Sequence, residues 1–501
     1  MIVADDLYIG IDLGTTGMKV GLFDASGRTV AFASQEFHPT ALSSGFIEFD
    51  VSEYADRTFN CVAEALSGAG EVVEAVRSIG FSSQGQTFVV VGADGVPLRP
   101  AVSWLDVRAG TEAAELSVVS KKLGLGSVNV VSSGPKLRWL HRHEPEVMER
   151  TRRVFLLPDY LIYRLTGCAV TDPIIAETTG IYDPWTDRWV GELLGLCGLD
   201  ERAMPEVMRS GERAGTLTGE AARRLGLSTD VSVAVGTNDQ YAGALGVGNV
   251  SHGCVSLALG TALAIVVTSK SREGVPDGVA VLPHPAAESS DELYALLAYA
   301  KTSGVVIRWF RDNFAPSLSY DELFAEIAAV PIGADGVCCV PHFAGTAAPD
   351  FNPLVRGAFS GLNLSHQRAH LGRALVESLA FTVRQNMELL AGHAGAKEMR
   401  AIGGGAKSDI WLQMIADATG VAVERPQTTE AACLGAAELA MAVGGDLGTV
   451  SDIAGRLYRP ERRFEPNPTV RAAYDEACAR CMALYHALYG PQREDAADDQ
   501  V

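Results

Sequence analysis

Apolar and polar positions along the chain follow two rhythms that alternate. Leu7–Leu13, Met18–Asp24 and Arg28–Phe37 are short apolar-rich runs separated by "GTTG" and "DASG", and runs bounded by such turn residues read as strands. From "DVSEYADRTFNCVAEALSGA" the apolar residues fall at helical spacing, with Ser52 placed to cap the helix. "VRSIGFSSQGQTFVVVGADGVPLRP" returns to strands around an "ADG" turn, and "EPEVMERTRRVFLLPDYLIYRLTG" is expected to be helical. Strand and helix therefore alternate, as in an α/β domain. The second half repeats the programme. "GCVSLALGTALAIVV" is again strand, "GT" turn, strand. A long helix follows at "HLGRALVESLAFTVRQNMELLAGH", then a strand, glycine turn and helix at "MRAIGGGAKSDIWLQMIADATG". Two α/β halves that each open on a hairpin predict a duplicated architecture with a cleft between the halves.

Composition narrows the function. The 501 residues suit two or three domains, and 47% hydrophobic with 20% charged residues is a globular balance. A formal net charge of -20 leaves no basic stripe for nucleic acid. An anionic ligand would instead need backbone N–H groups, helix N-termini and a metal ion. Nine cysteines are scattered without paired zinc-type spacing. Cys478 and Cys481 form a lone CxxC in a helix-like stretch, open to a packing or a redox reading, and His141 and His143 fit a solvated helix face or a metal pair. With no signal peptide and no long apolar run, no membrane role is expected, and the location is expected to be the cytoplasm. The acidic end, 491–501, is expected to be a disordered tail.

Four short motifs can carry chemistry. In "DLGTTG" the turn can aim successive N–H groups and the Thr15 and Thr16 hydroxyls at a phosphate, while Asp12 can hold magnesium through water; a plain hairpin turn is the other reading. "LALGTA" repeats the device without the acid, offering Gly260 and Thr261. In "VAVGTNDQYAGALGVG", Asp239 follows a strand and leads into a helix, so it is either an N-cap or a general base. In "AIGGGAKSD", Gly403–Gly405 let the backbone pass close to a flat ligand, and Ser408 or Asp409 caps the next helix. GxxxxGK[ST], HExxH and GxSxG are all absent.

Together, in this order, the four motifs resemble the FGGY carbohydrate kinases from about Leu7 to about Tyr489. The stretches "GFIEFD", "PLRPAVSWLDVRA", "TGIYDPWTDRW" and "GAAELAMAVGG" are also similar to that family. The resemblance implies two actin-like domains of the ribonuclease H-like, hexokinase/actin superfamily flanking a nucleotide cleft. They are expected over 1–250 (sugar site, first phosphate hairpin, catalytic acid) and 251–490 (second phosphate turn, adenosine site). It implies phosphoryl transfer from ATP with Mg2+ to a small sugar or polyol, and homodimers or homotetramers of the kind that members form. Residue by residue, it implies Asp239 as catalytic base and Asp12 as the magnesium-side acid. Gly14, Thr15, Thr16, Lys19, Gly260, Thr261 and Gly304 would lie around the phosphates, and Gly404, Gly405 and Ser408 around the adenosine. Gln84, Gln86, Trp104, Asp106 and Gln240 would line the acceptor site with Asp239. A non-catalytic actin-like protein would be expected to lack Asp12, Asp239 or a phosphate turn. An ATP-driven chaperone would need a further peptide-binding domain.

The acceptor-reading stretch "GFSSQGQTF" departs from the relatives it resembles. Glycerol kinases carry an Arg-Glu pair where this chain has Gly85 and Gln86, and xylulokinases a Met-His pair. Gly85 is expected to widen the pocket, and Gln86 to donate to and accept from a sugar hydroxyl. A neutral substrate is expected, a pentulose such as xylulose or a glycerol- or erythritol-type polyol.

Overall fold

Leu7–Leu13 is buried at every position but Asp12, the mark of a strand covered on both faces. It forms β1, the middle of the first sheet. The structure, a computed structural model, describes residues 6–490 apart from 44, 71–72, 127, 289–291, 348–350 and 397. The acidic tail expected over 491–501 lies outside the described residues.

β1 pairs antiparallel with β2 (Gly17–Asp24), which pairs antiparallel with β3 (Thr29–Glu36). On its other side β1 pairs parallel with β4 (Val76–Ser83). β5 (Arg213–Thr216) and β6 (Ser232–Ala234) complete the order β3–β2–β1–β4–β6–β5, with β6 parallel to β4 and β5 antiparallel to β6. The second sheet has the same plan. β7 (Val255–Leu259) pairs antiparallel with β8 (Leu263–Ser269), and β8 antiparallel with β9 (Tyr294–Ala300). β7 pairs parallel with β10 (Glu398–Ile402), β10 parallel with β11 (Ala422–Pro426), and β11 antiparallel with β12 (Pro460–Phe464). Both sheets thus set an opening hairpin beside a parallel strand, and the architecture is duplicated.

The helix Val51–Ala69 covers β2 and β3. Asp50 caps it, accepting from the N–H groups of Ser52 and Glu53, so Ser52 lies inside the first turn rather than before it. The stretch expected to be helical over 144–167 is broken by a strand, Arg153–Leu156, between the helices Pro145–Arg150 and Leu157–Thr166. That strand pairs with Phe88–Val91. Cross-strand burial of Val154, Phe155 and Leu156 outweighs the helical spacing around them.

The chain forms two units. The first is Met1–Val250 with Leu282–Asp291 and Glu430–Tyr458; the second is Ser251–Val281, Glu292–Thr429 and Arg459–Val501. The first unit thus takes in Glu430–Tyr458 as well as the chain up to Val250. The small-residue helix Ala431–Gly444 packs on β1 and β4 of the first unit. A Cβ on Gly10 would stand 1.9 Å from the Cys433 carbonyl oxygen, and one on Gly80 2.0 Å from that of Ala436. Only glycine permits this backbone approach, and it seats the helix against the two strands that carry Asp12 and Ser82. Cys478 and Cys481 are buried in the core of the second unit, on the helix Arg471–Tyr489.

Candidate active site

The parallel register of β1 and β4 sets Asp12 opposite Ser82, whose Oγ donates to Asp12 Oδ1 at 2.7 Å. Burial raises the Asp12 carboxyl above its ordinary range, against the pull of Ser82 and Lys19. Lys19 Nζ lies 2.7 Å from Glu430 Oε2 in a partly exposed pair. Such pairs contribute about 0–1 kcal/mol, so the ammonium can exchange this partner for another anion.

The turn after β1 closes through Gly14 N–H donating to Gly17 O at 2.9 Å. Gly14 O accepts from Tyr54 Oη at 2.9 Å and from Gln84 Nε2 at 3.3 Å. Thr15 and Thr16 part company. Thr15 Oγ1 donates to Gln84 Oε1 at 3.1 Å and accepts from Trp104 Nε1 at 2.8 Å. A hydroxyl has one proton, and that of Thr15 is committed inside the protein. Thr16 is exposed, and its hydroxyl has no hydrogen bond among the described residues.

Beyond β4 the chain turns through Gln84–Thr87. Gln86 has φ +60°, a conformation rare outside glycine. Two contacts hold it: its N–H donates to Thr178 Oγ1 at 3.1 Å, and its carbonyl accepts from Ser133 Oγ at 2.9 Å. The Gln86 side-chain amide is partly exposed and has no hydrogen bond among the described residues. Gly85 does not widen the pocket as expected: a Cβ there would lie 3.0 Å from Thr178 Cγ2 and 3.3 Å from Asn238 Nδ2, which fill the space. Asp106 is fully buried rather than pocket-lining. Its Oδ2 lies 2.6 Å from Arg108 Nη2 and accepts the Ile47 N–H at 2.7 Å.

Asp239 opens the helix Asp239–Leu245, but it is not the cap. Asn238 is: its Oδ1 accepts the Gln240 N–H at 3.1 Å. The Asp239 carboxyl keeps partial exposure; it accepts from the backbone N–H groups of Asp239 and Gln240 and, at 3.4 Å, from Gln240 Nε2. Burial first, and the Asp12 charge second, push its pKa from 3.8 up to about 7.

In the second unit, the turn after β7 is held by main chain. Gly260 N–H donates to Ala262 O at 3.1 Å, and Gly260 O accepts from Gly304 N at 2.9 Å. Thr261 O accepts from Ser303 N at 3.0 Å and Val305 N at 3.3 Å. The turn therefore rests on the start of the helix Gly304–Phe314. After β10, Gly405 lacks a side chain because a Cβ would stand 2.3 Å from the Trp411 ring, whereas Gly404 is exposed and open. Ser408 caps the helix Asp409–Thr419 by accepting from Trp411 N at 3.3 Å; Asp409 instead pairs with Arg425 at 2.6 Å.

Residues 7–246 match the N-terminal domain of the FGGY family of carbohydrate kinases, and residues 255–443 match its C-terminal domain. The chain belongs to the FGGY family of carbohydrate kinases. A xylulose kinase of Staphylococcus epidermidis is 28% identical over 497 residues, covering 98% of each chain. A glycerol kinase of Citrifermentans bemidjiense is 31% identical over 484 residues, covering 92% of this chain and 94% of that one. The solved structure of xylulose kinase from Rhodospirillum rubrum superposes with a TM-score of 0.87 at 31% identity, over 96% of this chain and 99% of that one.

In this FGGY kinase the first unit brings together Asp12, Gly14, Thr15, Thr16, Gln84 and Trp104, while Gln86 is held by Thr178 and Asn238 caps the helix that carries Asp239 and Gln240. It withdraws Asp106. Among the described residues no helix is long and apolar enough to cross a membrane. Ser82, Tyr54, Thr178 and Asn238 were not legible as site residues. Only Asn238 left a sequence signal, as a cap-forming residue two places before Gln240.

Proposed function

We propose that this FGGY kinase transfers the γ-phosphoryl group of Mg-ATP to a hydroxyl of a small neutral sugar, a pentulose such as xylulose, with Asp239 as general base. The observation that carries this is the Asp239 carboxyl: it is released from capping by Asn238 and tuned to about 7, where a general base works best near neutral pH. Asp239 accepts the proton of the attacking hydroxyl as the new oxygen–phosphorus bond forms. The bond from phosphorus to the bridging oxygen breaks and ADP leaves. The work left to the protein is positioning and neutralising charge. In the first unit, Thr16 and the N–H groups of its turn would hold phosphate oxygens; in the second unit, Gly260 and Thr261 are the corresponding candidates. Gly404 leaves open backbone for the adenosine.

Asp12 fits magnesium. It is one acid with a free oxygen, and among the described residues no group of three His, Cys, Asp or Glu could hold a metal. Magnesium keeps most of its waters and needs few carboxylates. When bound it would supply neutralisation of phosphate charge. Lys19 would move from Glu430 to a phosphate.

On the acceptor side, Gln86 offers a donor and an acceptor to sugar hydroxyls. A glycerol- or erythritol-type polyol kinase is the second reading, supported by the 31% identity to a glycerol kinase. ADP release with Mg-ATP and a panel of D- and L-xylulose, D- and L-ribulose, glycerol, erythritol, arabitol, xylitol and gluconate tests both. A ketopentose is expected to give the highest kcat/KM. A polyol in first place would establish the second reading, and gluconate in first place would defeat both.

A further inference from the structure

Four side chains of the first unit close a ring of hydrogen bonds. Trp104 Nε1 donates to Thr15 Oγ1 at 2.8 Å, and Thr15 Oγ1 donates to Gln84 Oε1 at 3.1 Å. Thr87 Oγ1 donates to the same Gln84 oxygen at 3.4 Å and accepts the backbone N–H of Trp104 at 3.1 Å. The protons permit one direction only. An indole N–H can only donate, so the Thr15 hydroxyl accepts from it and must give its own proton to Gln84. Gln84 then presents oxygen to the two threonines, and its amide nitrogen reaches Gly14 O at 3.3 Å. The ring therefore fixes the orientation of Gln84 from both ends.

Both sides of the ring are anchored. Behind Trp104, the fully buried Lys136 donates from Nζ to Ser103 O at 3.0 Å, Trp104 O at 3.2 Å and Val131 O at 2.9 Å. On the turn side, Tyr54 Oη donates to Gly14 O at 2.9 Å. Gln86 stands between Gly85 and Thr87, one residue from the ring. The ring thus spans from the Gln84–Thr87 segment to the Gly14–Gly17 turn, beside the main-chain bond from Gln84 N to Leu13 O at 3.0 Å.

We propose that Trp104 and Thr15 are a positioning pair. Trp104 acts through Thr15 and Gln84 to hold the Gly14–Gly17 turn in the geometry that receives phosphate, and links that turn to the segment bearing Gln86. Trp104 then serves the nucleotide machinery as well, and acceptor and nucleotide influence each other through it, reciprocally in their binding. The inference rests on reading the Gly14–Gly17 turn as a phosphate turn.

The test compares Trp104→Phe, Thr15→Val, Thr15→Ser and the Trp104→Phe/Thr15→Val double variant in the full chain. Two readouts are taken: Mg-ADP affinity without acceptor, by titration calorimetry, and kcat against acceptor KM. Removing the indole N–H takes the donor from the partly buried Thr15 oxygen, so Trp104→Phe is expected to weaken Mg-ADP by about five- to tenfold and lower kcat by a similar factor. Acceptor KM should stay within about twofold. Thr15→Val should do the same, Thr15→Ser should restore both, and the double variant should be no worse than either single change. A Trp104→Phe variant that raises acceptor KM and leaves Mg-ADP affinity untouched would overturn the proposal, as would additive losses in the double variant. Should Trp104→Phe not fold, the contrast between Thr15→Val and Thr15→Ser decides: equal affinities overturn the pair, and loss with valine alone supports it. If the wild type binds Mg-ADP but phosphorylates nothing on the panel, the sugar-kinase reading falls, while the calorimetry still decides this inference.

Discussion

The two hairpin turns, Leu13–Gly17 and Leu259–Leu263, occupy the same place in two sheets of the same plan, yet they are built from different materials. The first follows an acid, Asp12, and is braced by side chains: Tyr54 and Gln84 on Gly14 O, Trp104 and Gln84 on Thr15. The second follows Ala258 and is braced by backbone alone, from Ser303, Gly304 and Val305. Topology sets where a turn stands, and the neighbouring strand sets its chemistry. β4 meets Asp12 with Ser82, whereas β10 meets Ala258 with Ile402. The first unit therefore holds the carboxylates, Asp12 and Asp239, and the second offers a neutral turn. For a protein of charge -20 this division matters. A polyphosphate near both carboxylates would need a metal, whereas the second turn presents only uncharged groups.

The largest expected effect breaks the first unit's chemistry. Asp239→Asn should lower kcat by roughly 10²–10⁴-fold, the usual contribution of a general base, with nucleotide affinity unchanged in calorimetry. Turnover close to wild type would mean that the acid of the first unit is not the base.

A smaller effect probes the second turn. A Cβ on Gly304 would stand 2.7 Å from Gly260 O. Gly304→Ala must displace the backbone-braced turn, and overpacking of this kind costs about 1–3 kcal/mol. ATP KM should rise by roughly tenfold while acceptor KM holds. A rise in acceptor KM instead would erase the proposed division between the turns.

The smallest effect is on stability. The folded Asp239 pKa lies near 7 against an ordinary 3.8, so between about pH 4 and 7 the folded state keeps a proton that the unfolded state releases. Its contribution to stability falls as pH rises through that window and is lowest above it. Asp239→Asn should therefore raise the melting temperature at pH 8 and leave it unchanged at pH 4. Equal shifts at both pH values would remove the buried-charge account of Asp239.

The sequence by itself determined the elements whose pattern is local. Both hairpins, the alternation of strand and helix, and the helices at 368–389 and 409–419 follow from periodicity and turn residues. It also determined which residues could do chemistry, because the acids and glycines lie in ordered motifs. Only the tertiary structure decided which of them are free to do it. Thr15 and Thr16 are neighbours with the same side chain, and Trp104, 89 residues on, takes one hydroxyl and leaves the other. Asp106 lies in a loop and Asp239 at a helix start, and Arg108 engages one while Asn238 takes the capping role from the other. The helix at 431–444 joins the first unit because Gly10 and Gly80 let its carbonyls come close. A side chain's free proton or lone pair is what remains after its neighbours in space have taken their share, and some of those neighbours, as Trp104 is for Thr15, are distant in sequence.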